Sequence, residues 1–147
     1  MTLSEWQKNS WLTEHKSSRE EITNLLVVAD RDLHDCRAKG LSPDWKLNIA
    51  YNAALQIAAA ALAACGYRAA RDLHHYRVIQ SLAHTIGAEK EVIIQFDRFR
   101  KKRNIGGYEQ AGLVSSQEAA EMVELSIDLK NKVYWWLRTN YPELLPE

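Results

Sequence analysis

The side chains best suited to chemistry lie together in the stretch RFRKKRNIGGYE, residues 98–109. Five of its first six residues are arginine or lysine. Arg103 and Asn104 precede a glycine pair that allows a sharp turn, and Tyr108 follows that turn. A guanidinium, an amide and a phenol gathered at one corner would offer hydrogen-bond donors to an oxyanion such as a phosphate. The residue types therefore predict a small anion-binding site.

The spacing along the chain puts Arg103 on the inner side of a helix. It follows the apolar residues Val92, Phe96 and Phe99 at steps of four, three and four residues, which keep to one helical face. A guanidinium on an inner face needs an anionic or carbonyl partner. Two interpretations are open: a salt bridge to a carboxylate of another helix, and a phosphate held by the planar fork of the side chain.

Arg100, Lys101 and Lys102 diverge from this face, and Arg98 belongs to the same basic run. The chain has nineteen basic and nineteen acidic residues and no net charge, so any attraction to nucleic acid must be local. The four cations are predicted to grip the phosphates of an RNA backbone. The alternative is a solvated helix C-terminus, where cations are favoured by the helix dipole.

The histidines are not predicted to form a metal site. His74 and His75 are adjacent, so they point about 100° apart on a helix and cannot chelate one ion together. His75 belongs to an apolar stripe and is predicted to be a hydrogen-bonded core histidine, whereas His84 faces the polar side. His15 and His34 have no partner that the sequence identifies. Without a Cys-x-x-Cys pair or a glycine-rich nucleotide fingerprint, we expect neither a metal nor a cofactor. A catalytic site would then work by acid–base and electrostatic means.

The elements that position residues 98–109 are all predicted to be helices. The first predicted helix covers residues 3–15, the second runs from its cap Ser18 to Gly40, and the third runs from its cap Ser42 to Gly66. The fourth covers residues 72–86, the fifth begins at about Glu89, and the last is capped by Ser115 and ends before Pro142. Ser18 and Ser115 are each followed three residues later by glutamate, the pattern of a capping box. No strand pattern and no linker appear. The chain is therefore predicted to be a single all-α domain over residues 1–147, a bundle of five or six helices.

The third of these helices is apolar on nearly every side from Ala53 to Cys65, which predicts burial in the bundle or at a subunit interface. Its longest apolar run, 56–66, is too short to span a bilayer. Cys36 and Cys65 fall within apolar patterns, which favours small buried thiols in a reducing compartment over a disulfide. No signal-peptide pattern is visible. We therefore expect a cytoplasmic protein that does not contact a membrane.

An aromatic group lies near the end of the last helix: Tyr134, Trp135, Trp136 and Tyr141. Such a group favours a core or dimer contact over a platform for stacking bases.

At Arg103, Asn104 and Tyr108 the chain resembles the HEPN family. Members of this family are small helical bundles found in bacterial toxin–antitoxin and defence systems and in several RNA-cleaving enzymes. Family nucleases carry an arginine, four to six intervening residues and a histidine, often with a polar residue after the arginine. Arg103-Asn104-x-x-x-Tyr108 is similar to that pattern, with Tyr108 at the histidine position. The stretches 50–55 (AYNAAL) and 66–68 (GYR) also look like bacterial HEPN proteins.

The resemblance implies a metal-independent ribonuclease that acts as a homodimer with two motifs facing each other. Arg103 would steady the scissile phosphate, Asn104 would orient it, and Tyr108 would take the place of the histidine. A phenol with a pKa near ~10 is protonated at neutrality, whereas an imidazole near ~6.5 both accepts and donates protons. Tyr108 would therefore donate a proton or position water, and it is a poor general base.

Three hypotheses follow from the sequence. The first is an RNA-cleaving or RNA-binding effector that uses Arg103, Asn104 and Tyr108. The second is a catalytically silent HEPN module that dimerises or binds a partner; in related toxin–antitoxin pairs this is a nucleotidyltransferase, for which Tyr108 is a candidate modification target. The third is a helical assembly protein in which the motif is a salt-bridged corner.

Overall fold

The computed structural model of the protein describes residues 1–106 and 114–146, with side chains for 1–103 and 114–146. The elements in chain order are α1 (Leu3–Lys8), β1 (Leu12–Glu14), α2 (Arg19–Asp35), α3 (Pro43–Ala64), β2 (Tyr67–Ala69), α4 (His74–Ser81), α5 (Lys90–Gly106), α6 (Ser116–Asn140) and a 3-10 turn (Pro142–Leu144). These helices confirm the predicted all-α bundle.

The bundle is built around α3. Ser42 caps this helix by accepting a hydrogen bond from the Trp45 backbone N–H at 3.2 Å, and Pro43 occupies the first turn. Its alanine-rich surface is buried on nearly every side, as predicted, with α2 and α6 as its main neighbours. The buried Ser126 hydroxyl on α6 donates to the Ala50 carbonyl of α3 at 2.7 Å. Small side chains let these helices approach closely, so α3 forms the centre of the core.

By length and composition, α3 is also the one helix in the described part of the chain that could cross a membrane. Its most apolar window has a mean hydropathy of 1.4, but 67% of that window is buried inside the protein. Core helices of soluble proteins meet the same criterion, so this feature is weak evidence for a membrane.

The N-terminal prediction of one helix over 3–15 is wrong in its second half. The helix ends at Lys8, and Ser10 takes a left-handed conformation with φ of 64°. Residues Leu12–Glu14 then pair antiparallel with Tyr67–Ala69, in the register Leu12 to Ala69 and Glu14 to Tyr67. Three-residue strands carry too little periodicity to be recognised, and their pairing depends on contacts between distant parts of the chain.

One of the two predicted capping boxes is complete. Ser115 and Glu118 exchange both hydrogen bonds at the start of α6. At α2, the Ser18 hydroxyl accepts from the Glu21 N–H at 3.1 Å, but the Glu21 carboxylate bonds Nε2 of His15 at 2.7 Å instead. His15 therefore has a partner that the sequence did not identify.

Several helix ends differ from prediction by a turn. After α2 and α4 the chain tightens into i to i+3 hydrogen bonds, such as Arg37 N–H to His34 C=O, so the helices end at Asp35 and Ser81. The glycines Gly40 and Gly87, with φ of 87° and 67°, follow those turns.

At the other helix ends, α5 reaches Gly106 and includes Asn104 in its last turn. On α6 the fully buried Leu137, rather than the half-buried Trp136, continues the inner face after Val133.

The cysteines are free thiols. Cys36 is buried and Cys65 is half-buried, and burial raises the pKa of each thiol. Raised pKa values leave little reactive thiolate at neutral pH, which agrees with the predicted role as small apolar side chains.

Candidate anion-binding site

The last turns of α5 bring Arg103 to the inner side of the bundle. Ile93, Phe96 and Phe99 are buried and form the stripe that anchors α5 to the core. Arg103 continues that stripe and is half-buried. The helix periodicity therefore places the guanidinium where the sequence predicted it.

Arg103 packs against an aromatic ring. Its guanidinium carbon lies 5.1 Å from the ring centroid of Tyr51 on α3. Such a cation–π contact contributes about 0.5–2 kcal/mol, depending on desolvation. Within residues 1–106 and 114–146, no carboxylate forms an ion pair with Arg103. Of the two interpretations of Arg103, the salt bridge to a carboxylate of another helix therefore has no support among these residues.

Tyr51 links Arg103 to a histidine. Its side chain is fully buried, and its ring meets Phe96 edge-on at 5.6 Å. Its hydroxyl lies 3.1 Å from Nδ1 of His75 on α4. Burial raises the pKa of Tyr51 to about 12, although Arg103 and Arg100 act in the opposite direction. The phenol is therefore protonated at neutral pH and remains a stable hydrogen-bonding partner for the imidazole.

His75 is hydrogen-bonded as predicted, but it is only half-buried. Burial lowers the pKa of His75, and the charges of Arg103, His74 and Arg100 lower it further. The ring is therefore neutral at pH 7. Tyr51 occupies Nδ1, and the part of the chain that the structure describes provides no hydrogen-bond partner for Nε2. Tyr51 thus contacts both a neutral imidazole and a guanidinium that has no carboxylate partner among the described residues.

Sequence reasoning missed this combination, because His75 and Tyr51 lie far from Arg103 along the chain. Tyr51 did carry a signal, since a phenol within an apolar helix face needs a hydrogen-bond partner for its hydroxyl. His75, on the apolar stripe of another helix, was a matching partner. The sequence alone gave no means of placing both beside α5.

Most of the basic run is already paired with carboxylates. The Arg100 Nε donates to Asp97 at 2.7 Å, and Lys101 reaches the same carboxylate at 3.7 Å. The Lys102 Nζ lies 3.5 Å from Glu118, at the start of α6.

Arg98 is exposed, with its guanidinium 5.9 Å from the ring centroid of Phe99. Lys101 is exposed, and an exposed ion pair contributes only about 0–1 kcal/mol, so Lys101 can exchange Asp97 for a phosphate at small cost. The Arg100–Asp97 pair is largely buried and is harder to exchange. Because Arg100, Lys101 and Lys102 are paired with carboxylates, they are less available to bind RNA phosphates than the sequence predicted.

Two of the predicted site residues are only partly covered by the structure. The backbone of Asn104 belongs to the last turn of α5, and its side chain is outside the described atoms. Tyr108 lies outside the described residues. Their roles stay predictions.

Metal chemistry has no candidate site in residues 1–106 and 114–146, where no group of three histidine, cysteine or carboxylate side chains is arranged to hold an ion. The Nδ1 atoms of His74 and His75 have different partners, the Ala69 carbonyl and the Tyr51 hydroxyl.

A separate cleft of about 550 Å³ lies between α2, α3, β2 and α4. Its floor includes the alanines Ala59 and Ala63, and its rim carries Arg68, Arg71 and His74. It contains neither Arg103 nor Tyr51. Arg68 and Arg71 therefore serve as matched controls for any anion-binding experiment on Arg103.

Comparisons of the chain with protein-family models, with curated proteins and with solved structures give no match. The class that the fold defines is an all-α helical bundle, and the HEPN resemblance remains a prediction made from the motif.

Proposed function

We propose that the protein is a HEPN-like RNA-binding effector that holds an RNA phosphate at Arg103 and cleaves the phosphodiester without a metal ion. The observation that carries this proposal is the half-buried Arg103 guanidinium, which packs on Tyr51 and has no carboxylate partner among the described residues. A phosphate would satisfy this charge, and the planar fork of arginine matches phosphate oxygens.

The environment of Arg103 suits electrostatic catalysis. A cation fixed against a buried ring needs little reorganisation when negative charge develops on a phosphate. Asn104 follows Arg103 directly and would orient the phosphate, while Tyr108 would donate a proton or position water. Arg98, Arg100, Lys101 and Lys102 would hold neighbouring phosphates of the backbone. A bacterial toxin–antitoxin or defence setting, in the cytoplasm, fits such an effector.

The test is cleavage of total RNA by the purified protein in EDTA, beside Arg103→Ala and Arg103→Lys. We expect the alanine variant to lose at least about 100-fold in rate, as for other residues that stabilise transition-state charge. The lysine variant keeps the charge and loses the fork, so it should recover only part of the activity. The Arg68→Ala/Arg71→Ala protein controls for general loss of positive charge. Equal cleavage by the wild type and Arg103→Ala, or none by either, would overturn the proposal.

The second candidate function is a catalytically inactive HEPN module that acts by dimerising or by binding a protein such as a nucleotidyltransferase. The observation that favours it is the exposure of large apolar side chains: Trp135 on α6 is 70% exposed and Ile94 on α5 is 54% exposed. Contiguous exposed apolar patches mark interaction surfaces, so these two side chains are the positions at which such a contact is tested.

Light scattering coupled to size exclusion tests the dimer. We expect the wild type to be a dimer and Trp135→Ser to be a monomer, if α6 forms the contact. A monomeric wild type would contradict the dimer. Intact-mass analysis after co-expression with a neighbouring nucleotidyltransferase tests modification of Tyr108. An unmodified mass counts against that role.

A further inference from the structure

His75 and Arg103 contact the same residue from different helices. The Tyr51 hydroxyl lies 3.1 Å from Nδ1 of His75, and the Tyr51 ring faces the guanidinium of Arg103 at 5.1 Å. Three helices, α3, α4 and α5, thus hold an imidazole, a phenol and a guanidinium in one cluster. An imidazole can transfer a proton beside an anion that the guanidinium holds, and the motif around Arg103 does not include this histidine.

We propose that Nε2 of His75 is the proton-transfer group of this site, and that Tyr51 is a positioning residue that fixes the imidazole through Nδ1. The inference rests on the proposed function, because it names the residue that moves the proton during RNA cleavage. In this proposal, His75 on α4 moves the proton that the family histidine would move, because Tyr108 occupies the position of that histidine.

The hydrogen bond to Tyr51 determines which nitrogen can react. Since Nδ1 is engaged by the phenol, Nε2 is the nitrogen that is available to a ligand. If the phenol donates, Nε2 carries the proton and acts as an acid; if the phenol accepts, Nε2 carries the lone pair and acts as a base. In the base form, Nε2 takes up a proton to give the imidazolium, which can then return that proton, so one imidazole can act first as base and then as acid.

The charges that surround His75 favour this neutral form. Tyr51 faces it from α3, Arg103 and Arg100 face it from α5, and His74 precedes it on α4. Burial and these cations lower the pKa of His75, so the imidazole is a ready proton acceptor at pH 7 before RNA binds. A bound phosphate would offset the charge of Arg103 and raise that pKa. Phosphate binding would thereby make His75 a better base at the moment when it is needed.

The chemical step balances without a further reactant. The ribose 2′ oxygen attacks the neighbouring phosphorus, and its proton passes to Nε2 of His75. The bond between the 2′ oxygen and phosphorus forms while the bond from phosphorus to the 5′ oxygen breaks, and the electron pair of that bond leaves with the 5′ oxygen. The imidazolium then returns the proton to this leaving oxygen. Arg103 neutralises the charge on the non-bridging oxygens throughout.

The variants that test this role are His75→Gln and Tyr51→Phe, with His34→Gln as the matched control because His34 is exposed on α2, a helix that holds no residue of the cluster. We expect His75→Gln to reduce cleavage by about 100-fold, within the range of general acid–base catalysis, while its affinity for a 2′-O-methyl RNA stays within threefold of the wild type. Tyr51→Phe should shift the pH profile of kcat, since it removes the partner of Nδ1.

A measurement on the wild type needs no variant to fold. Nitrogen-15 NMR of the histidine rings, recorded as a pH titration with and without inorganic phosphate, reports the tautomer and pKa of His75. We expect phosphate to raise the pKa of His75. Arg103→Ala should raise the pKa of His75 without phosphate and remove the effect of phosphate.

The outcomes separate this role from the proposed function. RNA cleavage that is lost in Arg103→Ala but kept in His75→Gln overturns the role of His75 alone. A His75 pKa that does not respond to phosphate also overturns it. A wild type that cleaves no RNA overturns both proposals.

Discussion

Tyr51 is the residue on which the geometry of the candidate site depends. Its ring supports Arg103, and its hydroxyl holds His75. Both contacts come from one buried side chain on the central helix, so the positions of the two partners are coupled. Among the residues that the structure describes, Arg103 has no carboxylate partner, and a half-buried charge without a partner is costly. The anion that would offset this cost is the basis of the proposed function.

The lowered pKa of His75 predicts how stability depends on pH. The unfolded chain takes up a proton near pH ~6.5, whereas the folded protein resists that proton because burial and Arg103 oppose it. The unfolded state then binds more protons, so stability rises with pH across the interval from the folded-state pKa to ~6.5 and is complete above it. We expect urea unfolding at pH 7.5 and 5.5 to show a loss of stability at the lower pH.

The contribution of His75 is isolated by comparison with His75→Gln, which cannot take up this proton. The variant should lose less stability than the wild type between the two pH values. His34→Gln, an exposed control, should follow the wild type. The same pH dependence in the wild type and His75→Gln would show that the environment of His75 in the folded protein does not disfavour its charged form.

At the scale of elements, the serine caps of α2 and α6 are predicted to differ in strength. At α6, Ser115 and Glu118 exchange both hydrogen bonds, and Glu118 also meets Lys102 of α5. At α2, Glu21 is diverted to His15, so Ser18 provides a single capping bond. Loss of a cap costs about 0.5–2 kcal/mol. We expect Ser115→Ala to lie near the upper end and Ser18→Ala near the lower end.

Urea unfolding of the two variants at pH 7.5 measures this difference. The complete box at α6 also joins the end of α5 to the start of α6, so its loss should loosen the contact at Lys102. An equal or larger loss for Ser18→Ala would contradict the assignment of the complete box to α6.

The elements also show how far the sequence could be interpreted. Ser42, Pro43 and Gly66 fix both ends of α3 through local rules, so that helix was predictable. The pairing of Leu12–Glu14 with Tyr67–Ala69 was not, because neither three-residue segment has a periodicity of its own. The same reason explains the site: periodicity put Arg103 on the inner face, whereas the contact between Tyr51 and His75 depends on how separate helices pack.

At the scale of the whole molecule, the alanine surface of α3 sets how closely the helices pack. Ala58 is fully buried, while the neighbouring Ala59 is half-buried and lines the cleft beside β2. A larger side chain at a filled position forces its neighbours to shift, at a cost of about 1–3 kcal/mol. We expect Ala58→Leu to lower the melting temperature clearly, and Ala59→Leu to change it little because the cleft has room.

Circular dichroism melts of the two variants measure this contrast. The pair is matched in chemistry and in helix, and differs in burial. Similar losses at the two positions would mean that the cleft does not exist in solution.

The central claim is that Arg103 holds an RNA phosphate, and its most direct test is equilibrium binding of a fluorescent 2′-O-methyl RNA, which binds without being cleaved. Anisotropy titrations at one fixed salt concentration compare the wild type with Arg103→Ala and with Arg138→Ala, an exposed arginine in the last turn of α6. A hydrogen bond to a charged group contributes about 1.5–3 kcal/mol, so Arg103→Ala should weaken binding at least about tenfold, and Arg138→Ala should change it little. Equal affinity of the wild type and Arg103→Ala would contradict the account.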